Sequence, residues 1–203
     1  MEMIRRACVA GYQAVGLADH GALGSLSRLA QELSQDCALA RDRWGIMALP
    51  GVELTHVPAA AMAEVARVAK EAGLWLVIVH GETISEPVEE GTNLAAVSCG
   101  DVDILGHPGL ITLEEAELAA RNGVFLELSA KPAHAAANGH VAKMARLAGA
   151  KLIVNSDNHD IDFLSEEQAR RIVLAAGVEE EDVKQVLQVN PQILLEKILA
   201  GRI

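Results

Sequence analysis

Short apolar runs alternate along this chain with longer stretches in which apolar residues recur at helical spacing. The runs are AVGLADH, MALPGVE, LWLVIVH, VDILGHP, VFLELS and KLIVNSDNH. Each is too short for a core helix and is bounded by polar or glycine-containing segments, which marks it as a buried parallel strand. The predicted strands end at Asp19 and cover 46–53, 74–80, 102–106, 124–129 and 151–155. Helical patterns cover 2–11, 24–43, 59–73, 94–99, 112–122 and 138–148, and three more follow at 165–176, 179–187 and 191–200. Gly73 is a helix stop, and Thr112 with Glu115 forms a capping box at a helix start.

The runs share a second property. Each ends in a residue that binds a metal ion or sits beside one: Asp19 and His20, Glu53, His80, His107, Glu127 and Ser129, Asp157 and His159. In a parallel α/β fold the carboxyl ends of all strands gather on one face, so residues far apart in sequence meet there. Neutral imidazoles and ionised carboxylates are ligands for zinc, manganese and iron. Alternation of strand and helix fits a doubly wound sheet or a closed barrel. Candidate ligands at every strand end favour the barrel, because an open sheet uses mainly its switch point. With no linker, solenoid repeat or low-complexity segment, residues 1–203 are expected to form a single domain.

Composition narrows the function classes. A content of 51% hydrophobic but only 2% aromatic residues implies a core of Ala, Val, Leu and Ile under Ala-rich helices. The formal charge of −11 argues against a nucleic-acid polymer as partner, since that contact needs a basic surface. The cysteines, Cys8, Cys37 and Cys99, form no C-x-x-C pair, so buried reduced thiols and a cytoplasmic location are expected. No apolar stretch approaches the roughly 18 residues of a membrane span, and Arg5 and Arg6 interrupt any signal-peptide core. G-x-S-x-G and the phosphate-cradling G-x-x-x-x-G-K-[ST] are both missing from the sequence, which leaves metal chemistry as the leading candidate.

Taken singly, each residue also has a plainer reading. A histidine closing a strand is usually a satisfied polar group, and Asp157 with His159 in NSDNH also fits an Asx turn. Glu53 differs, because an unpaired carboxylate buried at a strand end costs several kcal/mol and calls for a cation nearby. His56 lies just beyond Glu53, within reach of the site or in solvent. Lys131 is the best-placed cation for a substrate phosphate, unless it is an ordinary exposed lysine. His134 and His140, in KPAHAAANGH, line a pocket or cap the helix near Asn138. Glu127 fits a carboxylate that orients a ligand histidine. The polar loop 81–93 is the kind of βα connection that carries specificity.

In the order ADHG, PGVE, VHGE, GHPG and NSDNH, these segments resemble the PHP family of polymerase and histidinol phosphatase proteins, and most closely its small histidinol-phosphatase-like members. The resemblance implies a distorted seven-stranded β/α barrel with two to three divalent metal ions, zinc, manganese or iron, at the carboxyl ends of its strands. By the same resemblance Glu53 bridges two ions, His80 and His107 complete one, Asp157 belongs to the other, and His20 and His159 hold a third. Asp19, His56 and Glu127 are further candidates, and Lys131, His134 and His140 face the substrate. The implied reaction is hydrolysis of a small phosphate monoester by a metal-activated hydroxide. A nucleotide phosphodiesterase or bisphosphatase on the same site, or a catalytically degenerate binding module, are the alternatives. The family's first strand, with its H-x-H motif, has no counterpart here. The expectation is a barrel of six recognisable strands with two or three ligands missing, from a late start, a fragment or a degenerate member.

Overall fold

The computed structural model describes residues 1–159 and 163–201. Helix α1 (Glu2–Val9) precedes β1 (Ala14–Gly21), α2 (Leu26–Trp44), β2 (Met47–Leu54), α3 (Met62–Glu71), β3 (Leu76–His80) and α4 (Thr92–Val97). Then follow β4 (Ile104–Gly106), α5 (Leu113–Asn122), β5 (Phe125–Ser129), α6 (Asn138–Ala148), β6 (Leu152–Asn155), α7 (Glu166–Ala175) and α8 (Asn190–Ala200). The six strands are parallel, pair in chain order and curl into a half-barrel, consistent with a distorted barrel. Among the described residues, β1 and β6 each pair on one side only.

Strand alternation sorts the core into two layers. On the convex face Val52, Leu54, Val77, Val79, Leu105, Leu126 and Leu128 pack against Val65, Ala66, Ala69, Ala116, Ala119 and Ala145 of the surrounding helices. Alanine on the helices lets them lie close to the sheet, which is how so few aromatics suffice. On the concave face, Leu49, Leu76, Ile104, Phe125 and Ile153 meet Leu194 and Ile198 of α8. These residues lie early in their strands, so α8 covers the amino-terminal half of the concave face. The carboxyl-terminal half is left to polar side chains, as in barrels where that end carries the chemistry.

The helical patterns at 179–187 and 191–200 do not form two separate helices. The helix runs on through a π turn, Gln185–Val189, directly into α8. Pro191 has no N–H for the carbonyl one turn back, which frees that turn to widen. Asn190, buried at the junction, donates through Nδ2 to the Leu152 carbonyl at 2.7 Å and accepts from Gln185 Nε2 at 2.8 Å, which pins α8 to the start of β6. The short helix expected at 94–99 starts earlier, at Thr92, because Glu82 Oε1 accepts from the amides of Gly91 and Asn93 at 3.0 and 2.8 Å. That clasp also closes the neck of loop 81–91.

At the amino-terminal end of the strands, Asp103 is buried yet fully partnered. Its Oδ2 accepts from the Val77 amide at 2.9 Å and from Lys70, and Lys197 Nζ lies 3.5 Å from Oδ1.

Candidate metal centre

Register determines which strand-end residues meet. His20 on β1 pairs with Glu53 on β2, His80 on β3 with Gly106 on β4, and Ser129 on β5 with Asn155 on β6. Counting by twos from the concave residues Leu49, Leu76, Phe125 and Ile153 brings Glu53, His80, Glu127 and Asn155 onto the concave face. Asp19, one residue before His20, faces the other way and is exposed. Glycines let the loops close in. A Cβ on Gly81 would lie 2.4 Å from the Gly106 carbonyl, and one on Gly109, at φ +60°, would overlap the Glu82 carbonyl. The loop after His80 therefore rests directly on the loop after His107.

Three buried imidazoles result. His80, His107 and His134 bring ligand nitrogens within 4.8 Å of one another. The His107 ring stands edge-on to His80 at 4.3 Å and lies stacked on His134 at 4.2 Å between centroids. Each ring is held from behind. His107 Nδ1 lies 3.0 Å from Glu127 Oε2, which also accepts the His107 amide at 2.9 Å, while Glu127 Oε1 accepts from Asn155 Nδ2 at 2.8 Å. A carboxylate only accepts, so His107 carries a proton on Nδ1, and its neutral form presents Nε2 as a lone pair. His80 Nδ1 faces the Gly81 carbonyl at 3.2 Å, which presents its Nε2 in the same way. His134 Nδ1 contacts the hydroxyls of Thr83 and Ser85 at 2.8 and 3.1 Å.

Among the described residues, two buried atoms in this cluster have no hydrogen-bond partner: Glu53 Oε1 and His107 Nε2, 3.5 Å apart. Buried polar atoms are seldom left unpaired, because each costs about 1–3 kcal/mol. A carboxylate oxygen and an imidazole lone pair facing one space are the donor set a divalent cation takes, so the residues fit a metal ion. The electrostatics favour a neutral ligand at His80 and a proton at His107. Burial pushes the Glu53 carboxyl up to about 7, against the pull of His107 and with Glu127 and Asp157 adding to the rise. Burial, with His107 close by, pushes His80 down to about 4, so it is neutral and able to ligate. Burial also acts to lower His107, but its bond to Glu127 and the charges of Glu127, Glu53 and Asp157 raise it overall. The Glu127 carboxyl, although burial opposes it, is held below the usual range by His107 and Asn155.

The remaining candidates surround this core. His20 Nε2 stands 3.8 Å from Glu53 Oε2, and its ring lies 5.5 Å from that of the exposed His159. His56, also exposed, stacks on His80 at 5.8 Å. The Asp157 side chain is buried and holds His159 Nδ1 at 3.5 Å, His134 Nε2 at 3.6 Å and Lys131 Nζ at 3.1 Å. His140 lies away from the cluster, its Nε2 2.7 Å from the Ile111 carbonyl, where it ties α6 to the loop before α5. His56, His107 and Asp157 adopt left-handed φ values of 52°, 31° and 44°. Such strain in non-glycine residues gathers at functional sites. A groove of about 1960 Å³ opens along the concave face, lined by His20, Glu53, His107, Glu127, Asp157 and His159 among others.

Sequence reasoning did not single out Glu86. From loop 81–91 its carboxylate reaches 3.2 Å from His80 Nε2 and 3.7 Å from His134 Nε2. The polarity of that loop was the available signal. The clasp by Glu82 and the contact of Thr83 and Ser85 with His134 are what aim it.

The fold and this cluster together define the class: a parallel β/α half-barrel with a histidine and carboxylate centre at the carboxyl ends of its strands. The chain belongs to the family of the uncharacterized protein MJ1295 of Methanocaldococcus jannaschii, with which it is 37% identical over 199 residues, 97% of this chain and 91% of that protein. No family model matches the chain. Its fold is similar to that of a chain in the cryo-EM structure of archaeal ribonuclease P with mature tRNA, at TM-score 0.73 and 16% identity, covering 99% of this chain and 87% of that one. It is also similar to the crystal structure of histidinol phosphate phosphatase from Lactococcus lactis complexed with zinc, L-histidinol and phosphate. There the TM-score is 0.57 at 17% identity over 88% of this chain and 87% of that one. An amidohydrolase matches at TM-score 0.57 and 18% identity over 86% of this chain and 46% of its own length. At these identities the structural likenesses show the fold. No helix among the described residues is long and apolar enough to cross a membrane.

Proposed function

We propose that this chain is a metal-dependent phosphoesterase that hydrolyses a small phosphate monoester. The observation that carries this reading is the buried pair of unpartnered atoms, Glu53 Oε1 and His107 Nε2, beside the neutral His80 and His134. The Lactococcus lactis neighbour, complexed with zinc, L-histidinol and phosphate, supports a phosphate monoester as the substrate class. Glu53, His80 and His107 would hold the ion, and His134 would add a nitrogen from the loop after β5. When bound, a divalent ion supplies an acidified water and neutralises charge on phosphoryl oxygens.

The chain's own groups do the rest. Glu127 fixes the tautomer and orientation of His107. The clasped loop 81–91 lays Thr83, Ser85 and Glu86 over the cluster and screens it from solvent. Glu86, 38% exposed at the mouth, is the carboxyl group placed to pass a proton between the site and solvent.

The likeness to a chain of ribonuclease P raises a second reading, a catalytically inactive assembly module. The formal charge of −11 counts against an RNA partner, and an assembly role gives no reason for unpartnered ligand atoms in the interior. Phosphate release from L-histidinol phosphate and a panel of monoesters, with zinc or manganese added, separates the two. Turnover that chelator removes, and that His80→Ala abolishes in a folded protein, is the expected result. A folded, metal-loaded protein inert toward every monoester and diester would overturn the assignment.

A further inference from the structure

Buried carboxylates in this chain differ in where their positive partner comes from. Asp103 has Lys70 and Lys197; among the described residues no lysine or arginine comes within ion-pair distance of Glu53. Asp157 belongs with the first kind although it lies on the metal face. Its side chain is 8% exposed and its Oδ2 is 3.1 Å from Lys131 Nζ. The pairing lies just beyond a strand pair. Ser129 and Asn155 are partners across β5 and β6, and Lys131 and Asp157 each lie two residues further on, where Asp157, at φ 44°, has left strand geometry and its Oδ2 meets Lys131 Nζ. The Ala130 amide carries the pairing onward, donating to the Asn155 carbonyl at 2.9 Å.

We propose that Lys131 is a resident second cation: its ammonium occupies the place at Asp157 where a second divalent ion would otherwise bind, leaving a one-metal site. The inference rests on the metal-dependent reading above and deepens it. Without Lys131, the Asp157 carboxylate has imidazole nitrogens beside it, His159 Nδ1 3.5 Å from Oδ1 and His134 Nε2 3.6 Å from Oδ2, the oxygen and nitrogen donors that a divalent ion takes. With Lys131 in place, a divalent ion at Asp157 would sit against a fixed positive charge at about contact distance, which opposes its binding. Lys131 then does for a phosphoryl oxygen what a second ion would do: it offers a positive charge and N–H donors from a fixed position. The side chain is 30% exposed, so its seat on Asp157 does not seal it from solvent.

The test is equilibrium dialysis of the full chain against excess zinc, then manganese, followed by elemental analysis. One equivalent per wild-type chain is expected, and two for Lys131→Ala. Lys131→Arg, which keeps the charge, stays at one, and Lys131→Ala with Asp157→Asn returns to one. Lys131→Met is expected to cut turnover about 100-fold, as for loss of one fixed charge-stabilising donor. Two or more equivalents in the wild type, or one in Lys131→Ala with an unchanged circular dichroism spectrum, overturns the proposal and leaves the metal-dependent reading standing. No metal in the wild type overturns both.

Discussion

The two ends of the half-barrel each bury a carboxylate, and they treat it differently. At the amino-terminal end Asp103 joins β3 to β4 through the Val77 amide and carries two lysines, so both oxygens have a partner. At the carboxyl-terminal end Glu53 faces His107 Nε2 and neither atom is satisfied. The first arrangement is complete without a ligand. The second carries a free-energy cost that a proton or a metal ion must relieve, so the same residue class marks structure at one end and a binding site at the other.

The largest expected effect is on the unsatisfied end. Glu53→Gln, nearly isosteric and neutral, should abolish metal-dependent turnover, a fall of roughly 10³-fold or more, because it removes the charge that a divalent ion answers. The metal-free protein should be no less stable than wild type. Thermal melts with and without zinc check both parts: wild type shifts upward with zinc by mass action, and Glu53→Gln does not. A Glu53→Gln protein that melts well below wild type in chelator would mean Glu53 is held by partners of its own.

The opposite result is expected at the other end. Asp103→Ala leaves the Val77 amide without its acceptor and removes the charge facing Lys70 and Lys197, yet it touches nothing near the metal position. Both lysines are partly exposed and can turn to water, so the cost is expected at about 2–3 kcal/mol. Urea unfolding should show a lower midpoint, while zinc stoichiometry stays as in wild type. A loss of metal in a folded Asp103→Ala would show that the two ends are coupled.

A finer contrast concerns Glu127, the buried carboxylate at the metal end that is satisfied. Its Oε2 takes two bonds from His107 and its Oε1 one from Asn155. A glutamine offers one oxygen and one NH₂, so Glu127→Gln loses a bond to His107 or sets its NH₂ against that of Asn155. Weaker support for a ligand histidine typically costs 10–100-fold in metal affinity, and about that loss is expected in a zinc titration. An unchanged zinc affinity would mean that His107 does not depend on Glu127.

How much of this contrast is legible in the sequence differs between the ends. Glu53, His80 and His107 stand out because each closes an apolar run, and a run of that kind predicts both the strand and the burial of its last residue. Asp103 sits at the start of such a run, where a polar residue is unremarkable, and its lysines come from helices 33 and 94 residues away in sequence. Glu86 is equally silent, and His134, legible as a pocket residue, does not show that it joins the histidine cluster, since both depend on loops folding over one another. The glycines at 81 and 109 are the trace of that fold, but their meaning appears only once the backbones meet. The pairing of Lys131 with Asp157 is intermediate. Each is visible beyond its strand, and the loops that leave β5 and β6 bring them together.

The smallest expected effect is a pH dependence that separates the ends once more. In the metal-free chain burial raises the Glu53 carboxyl from 4.5 to about 7, so between those values the folded state holds more protons than the unfolded chain. Stability from this group therefore falls as pH rises from about 4.5 to about 7 and is level above that. Glu53→Gln lacks that slope. In chelator, wild type minus Glu53→Gln should move by about 1–3 kcal/mol in the direction of a less stable wild type between pH 5 and pH 7.5. Saturating zinc should reverse the sign at neutral pH, because the ion stabilises the ionised carboxylate that burial alone penalises. The same subtraction for Asp103→Asn tests the partnered end, where the lysines already do for Asp103 what zinc does for Glu53, and zinc should leave it unchanged. A zinc-sensitive difference at Asp103 would remove the distinction between a carboxylate satisfied by its own chain and one that waits for an ion.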